Sequence, residues 1–387
     1  MFSKSFYTYT FKAVSLFRLF GVTSISFDRK TKIFRNDSRK QALFILSYPL
    51  LVSWDVIVLV IVLKSWFLEK DLNRFNISVS YFLGFLLTSS ICSVSRWFSH
   101  DFCIACNGLF SLAKYFQNYL PREHNVEQNR FDKFLSGGLL LFITNMICCI
   151  LLTVLILVYN PREIPFVGVL IPEEYYTYSV ALLLVLLQVY LIVYAVLGIT
   201  FVSLYVLVYS FTLLFIFSRE LRLGRPRYMT MGTLRRPHDV RIAYRALQVL
   251  HKSFSCFIGP FLMIWHGCLI VAALYVNFVL IRYWSNLTAM IQVQLLLFSI
   301  SEMGMWSICM EFFRIIFMNG NKLLNSWKGG KWGTRVENCF MKKFQRSCQP
   351  IVFGYGTQFV FKRVSVPNYY KTVVRGTWRA LLSTKSN

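Results

Sequence analysis

The sequence predicts an all-α fold, a polytopic bundle of membrane helices. Three observations predict it. Of 387 residues, 56% are hydrophobic and only 15% are charged, where soluble domains carry about 25% charged residues. Six segments are long and apolar enough to cross about 30 Å of hydrocarbon, which takes about 20 helical residues. Lys and Arg then concentrate in alternate connections, 36 against 5. That bias places the N-terminus in the cytosol by the positive-inside rule. The net charge of +25 would suit a nucleic-acid binder, but not alongside this hydrophobicity. The expected partner is the lipid bilayer, with no nucleic acid.

The first 20 residues, MFSKSFYTYTFKAVSLFRLF, mix aromatics with Lys4, Lys12 and Arg18. They read as an interfacial or cytosolic helix rather than a cleavable signal peptide. The six spans run over 42–63, 77–95, 136–159, 178–217, 256–281 and 289–312. The connection at 96–134 contains FCIACNGLFSLAKYFQNYLP, a short helix ending at Pro121. Residues 178–217 are forty residues without a charge, apolar or hydroxyl-bearing apart from Gln188. Two spans there would place the nine basic residues of 218–253 outside, so one long helix is expected. The sixth span also stays apolar beyond the membrane edge, in MEFFRIIFMNGNKLL. Water cannot solvate such extensions, so helices four and six are expected to join a cytosolic anchor. Two sequons, Asn76-Ile-Ser and Asn286-Leu-Thr, face outward in this topology, while Asn36-Asp-Ser faces the cytosol.

No catalytic constellation is present, so no enzyme activity and no cofactor are expected. GYGTQF at 354 has two glycines of a dinucleotide fingerprint without its βαβ context. Ten cysteines avoid the outer loops and read as packing thiols. Cys103 and Cys106 have zinc-like spacing, but no second pair completes a metal site.

Ionisable residues inside spans are costly and therefore informative. They are Asp55 in the first, His266 beside Trp265 in the fifth and Glu302 in the sixth. They form either a ligand or ion site or a buried polar cluster that holds helices together. Outer-half polar and aromatic residues are candidates for a small organic ligand: Tyr81, Tyr178, Tyr275, Gln292 and Gln294.

Near the end stands NYYKTVVRGTWRALLSTK. Lys371, Arg375 and Arg379 recur every fourth residue and line one helix face. Tyr370, Val373, Val374, Thr377, Trp378, Leu381 and Leu382 are expected opposite. Three central cations would cost on the order of 9 kcal/mol in lipid, so 366–385 is no ordinary span. It is an amphipathic seventh helix that either lies on the membrane or turns its basic stripe to water in a pore. Stacked rings of positive charge in such a pore would favour anions.

The cytosolic N-terminus, the LFRLFGVTSISFD segment and the two apolar helix extensions resemble the arthropod gustatory and odorant receptor superfamily. Its C-terminal signature is Thr-Tyr, five hydrophobics and Gln-Phe. The corresponding stretch here is Thr377-Trp378, then Arg379 within the run, and Thr384-Lys385 at the close. The resemblance implies a multi-pass plasma-membrane chemoreceptor for tastants or odorants, built as a homo- or hetero-tetrameric ligand-gated cation channel. It implies ligand binding among helices two to six and a pore lined by the seventh, here with Lys371, Arg375, Thr377, Trp378 and Arg379. Rival expectations are a G-protein-coupled-type receptor, a transporter-like protein and a non-conducting co-receptor. The first needs an external N-terminus, against the basic residues before the first span. The second usually shows two related halves.

Overall fold

A computed structural model describes residues 4–37, 42–70, 72–119, 170–212, 218–355, 359–361 and 364–383, with scattered helical positions between 144 and 159. The expected third span, 136–159, and the last residues of the seventh helix therefore lie largely outside the described residues. Among the described residues, five helices are long and apolar enough to cross a membrane.

Helix α1 (Lys4–Leu19) buries Val14 and Phe17 and leaves Leu16 and Leu19 exposed. Gly21 then turns the chain with φ +73, and a Cβ there would meet the Leu43 carbonyl carbon at 2.8 Å. Glycine alone permits both that φ and that approach. Strands β1 (Ile25–Asp28) and β2 (Ile33–Asn36) follow as an antiparallel hairpin with Phe27 opposite Phe34. Asp28 closes its turn by accepting from the Lys30 amide at 2.9 Å. The Thr31 side-chain hydrogen bond first, and then the Lys30 amide, hold the Asp28 carboxyl below its usual pKa. The sequence reading assigned no strand here. The hairpin forms because Ile25 and Phe27 alternate inward with Ser26 and Asp28, giving Phe110 two rings to pack on.

Helix α2 (Ala42–Lys64) carries Pro49 and ends in a wider turn over Ser65–Glu69. Its buried stripe, Phe44, Leu51, Trp54, Val58 and Ile61, steps by three, four or seven residues. The other faces are equally apolar, and Leu46, Val56 and Val60 are exposed. A helix that is hydrophobic all round but covered on one side suits a hydrocarbon surround. Helix α3 (Leu72–Trp97) returns antiparallel, and α4 (Ser99–Gln117) is the short helix expected before Pro121.

Helix α5 (Tyr178–Thr212) exposes Leu182, Leu183 and Leu186 in its first half and buries Tyr205 and Tyr209 in its second. Tyr209 stacks on Phe254 with centroids 4.0 Å apart. Helix α6 runs unbroken from Pro237 to Arg282, roughly 70 Å at about 1.5 Å per residue. The expected span, 256–281, lies within this helix, which reaches back into the basic connection at 218–253. The extension has a clear cause. Pro237 and Asp239 favour a helix start, and Val240, Ala243, Tyr244, Leu247 and Leu250 form one buried stripe beneath the arginines. Helix α7 (Ala289–Lys328) is capped by Thr288 and continues well past 312. The extended ends of α5, α6 and α7 thus pack together, closed by α8 (Arg335–Ser347) and its Thr334–Glu337 capping box.

Between α5 and α6, a helical turn at Ser218–Glu220 ties the connection to α7. Leu221 accepts from Trp327 Nε1 at 3.0 Å. Glu220 is 2% exposed and accepts from the Met229 and Thr230 amides at 3.0 Å and from Thr230 Oγ1 at 2.7 Å.

Strands β3 (Gly354–Tyr355) and β4 (Phe359–Val360) precede α9 (Ser365–Ser383). Helix α9 runs alongside the last turns of α6. Tyr369 lies by His266, Gly376 faces Leu274, and Ala380 and Leu381 pack on the group containing Val276 and Val279. Its buried stripe is Tyr369, Val373 and Thr377. Lys371, Arg375 and Arg379 are exposed, as the spacing implies. The apolar side is not one face, however. Tyr370, Val374, Trp378 and Leu382 form a second exposed strip because the bundle can cover only one row.

Replacing Glu220 by Ala should strand the buried Thr230 amide and the half-buried Met229 amide and cost about 3 kcal/mol, whereas Gln should cost less. Thermal unfolding of the detergent-solubilised chain, with proteolysis at Arg225 as a second readout, checks this. Equal stability of Glu220→Ala and the parent would refute the role given to this carboxylate.

Candidate functional site

Inside the bundle, α3, α5, α6 and α7 enclose a cavity of about 310 Å³. That is the lower end of the range for small-molecule sites. Its walls follow from helical spacing. On α7, Gln294, Phe298, Glu302, Met305 and Cys309 recur at three or four residues and share a face. On α3, Tyr81, Gly84 and Thr88 do the same. Gly84 lets the Phe298 ring lie close, since a Cβ there would sit 3.1 Å from that ring and make it give by a few tenths of an ångström. From α5 come small and branched residues such as Ala195, Val202 and Ser203, and from α6 Leu262, Trp265 and Leu269.

Polar groups in the walls are mostly committed. Tyr81 donates to Gln294, joining α3 to α7 at one end. Trp265 Nε1 donates to Ser90 Oγ at 3.1 Å, joining α6 to α3. Thr88 and Ser80 donate back to carbonyls of their own helix. Glu302 differs: its Oε2 is buried with no hydrogen-bond partner among the described residues.

Behind the α7 wall lies an aromatic cluster. Trp306 Nε1 donates to His266 Nδ1 at 2.8 Å, which assigns the imidazole proton to Nε2. The His266 ring centroid lies 5.9 Å from Trp306 and 6.0 Å from Tyr369 of α9. Tyr369 also lies within electrostatic reach of Glu302. Trp306 lines the cavity on one side and this cluster on the other.

The residues singled out from sequence divide accordingly. Tyr81, Gln294, Trp265 and Glu302 line the cavity, and His266 stands directly behind it. Tyr275 lies apart and donates to Asn76 Oδ1 at 2.5 Å. Gln292 donates to the Trp284 carbonyl at 2.6 Å and closes the turn before α7. Tyr178 is 83% exposed at the start of α5. Asp55 is buried on α2, with Oδ1 unpartnered among the described residues, and does not reach the cavity. Phe298, Ser301, Trp306 and Phe313 were missed. Stepping by three and four from Gln294 would have found the first three.

Fold and site together define a multi-helix membrane protein with a ligand-sized chamber between its helices. No protein-family model and no curated protein matches the sequence. Solved structures do match. The insect olfactory receptor OR5 from Machilis hrabei in complex with eugenol superposes with a TM-score of 0.70 at 11% identity, over 96% of this chain and 97% of that one. The structure of that receptor described without eugenol gives 0.69 at 8% identity, over 98% and 100%. The chain therefore has the insect olfactory receptor fold.

Trp265→Phe should loosen α6 from α3 by the worth of one hydrogen bond, about 1 kcal/mol. A lower unfolding midpoint in detergent is the expected outcome, with Ser90 Oγ still donating to the Leu87 carbonyl at 2.6 Å. Full stability of Trp265→Phe alone would contradict it.

Proposed function

We propose that this chain is a subunit of a small-molecule-gated ion channel of the chemoreceptor type. It works in the plasma membrane as a homo- or hetero-tetramer, with its N-terminus in the cytosol. The observation that carries this reading is the shared wall. Trp306 touches the cavity with one edge and, through His266, reaches Tyr369 on α9. A ligand that reshapes the cavity therefore biases the helix placed to line a pore, which is the differential contact that gating requires. The olfactory receptor fold and the eugenol bound in one solved neighbour support the same assignment.

Helix α9 suits a subunit interface. Its basic stripe needs water, and the adjacent strip of Tyr370, Val374, Trp378 and Leu382 needs cover. Around a central axis, one strip meets neighbouring subunits while the other faces the conduit. Rings of Lys371, Arg375 and Arg379 would repel cations. A non-conducting co-receptor is the second reading, favoured by the same unneutralised stripe.

Patch-clamp recording with eugenol and a broad odorant and tastant panel tests the channel. Ligand-evoked current should vanish in Gly84→Leu, which drives Phe298 into the cavity, while surface delivery persists. Confirmed delivery without any current in the parent would favour the co-receptor. In the conducting case, Arg375→Leu with Arg379→Leu should move the reversal potential toward that of cations. An unchanged reversal potential would remove α9 from the conduit.

A further inference from the structure

We propose that the cavity selects an organic amine, with Glu302 as the residue that recognises its nitrogen. This rests on reading the cavity as the ligand site and adds the ligand's chemical class.

The argument begins with what the walls lack. Among the described residues no Lys, Arg or His lines the chamber, and Glu302 is its one acidic group. Glu302 lines the chamber, and its buried Oε2 accepts no hydrogen bond from the described residues. An unsatisfied polar atom in such a place costs free energy in every state of the empty receptor. A second acidic ligand would worsen that, and a hydrocarbon would leave it as it is. A ligand bearing N–H donors relieves it, and does so more strongly when the donor is cationic.

The surroundings fit a cation in a second way. Trp306 follows Glu302 by one turn of α7, and Phe298 precedes it by one turn. Aromatic rings one turn either side of an acid can offer an ammonium both a counter-charge and a ring quadrupole. The larger competing polar groups are already engaged. Tyr81 holds Gln294, Trp265 holds Ser90, and Trp306 donates to His266. The apolar remainder, with Leu262, Leu269 and Val206, suits a compact hydrocarbon or aryl body. A small arylalkyl amine combines those features.

The test compares 2-phenylethylamine with propylbenzene, its neutral isostere, and with 3-phenylpropanoate. Binding is read as ligand-induced stabilisation and competition on the purified full-length chain. The parent should bind the amine roughly tenfold to a hundredfold more tightly than propylbenzene, the span expected of one hydrogen bond to a charged group. The acid should bind weakest. Glu302→Gln should erase the amine preference while changing propylbenzene affinity by less than about threefold. Glu302→Leu should be at least as stable as the parent and keep propylbenzene. Equal affinity of the parent for amine and propylbenzene would overturn the proposal and leave the ligand site standing. So would an amine preference that survives Glu302→Gln. Failure of the parent to bind any of the three would overturn the ligand-site reading with it.

Discussion

Hydrocarbon offers no hydrogen-bond partners, and the arrangement of this bundle follows from that constraint. Backbone groups are satisfied within each helix, which is why the membrane-length elements are helices. Polar side chains must find partners across helices instead. Tyr81 with Gln294, Trp265 with Ser90, Trp306 with His266, Tyr275 with Asn76 and Ser299 with Asn277 do so. Each bond is modest, about 1 kcal/mol net, yet each also fixes which faces of α3, α6 and α7 meet. The cavity is the space left when those faces are pinned by long side chains rather than by close-packed small ones.

The same constraint explains the contrast between the two halves of the bundle. Toward α8, the extended ends of α5, α6 and α7 bury Tyr209, Tyr244, Phe254 and Phe353 in a dense aromatic core. Tyr244 donates to the Gln349 carbonyl at 2.7 Å, so even the loop before β3 is fastened there. In the other half, α5 leaves Leu182, Leu183 and Leu186 uncovered and contributes small side chains to the chamber wall. One half is built to hold shape, and the other keeps room to change it. Mobility drawn from the less packed region is the general rule for ligand-responsive elements.

Much of this was legible in the sequence. Hydropathy and the basic bias outline α2, α3, α5 and α7, and the four-residue spacing of Lys371, Arg375 and Arg379 sets the exposed stripe of α9. Ionisable residues within spans led directly to Glu302 and His266. Other features escaped for physical reasons. The start of α6 was hidden because its apolar period lies beneath a basic surface that reads as a connection. The split apolar side of α9 depends on how wide a face α6 and α7 can cover, which the helix's own sequence does not encode. Tyr178, Tyr275 and Gln292 have the right chemistry at the right depth, yet their orientation is set by neighbours. Tyr275 turns to Asn76 and Gln292 to the turn at Trp284.

Helix α9 now has a more specific place than amphipathicity gave it. A helix lying on a membrane surface would need a single apolar face toward lipid. This one instead packs Tyr369, Val373 and Thr377 along the last turns of α6, with Gly376 admitting Leu274 into direct contact. Adding a Cβ at Gly376 would place it 2.1 Å from Leu274 Cδ1, so the close approach depends on that glycine. The approach begins at Tyr369, beside His266 and within reach of Glu302. The α7 wall of the cavity and the first turns of α9 are therefore joined through Trp306, His266 and Tyr369.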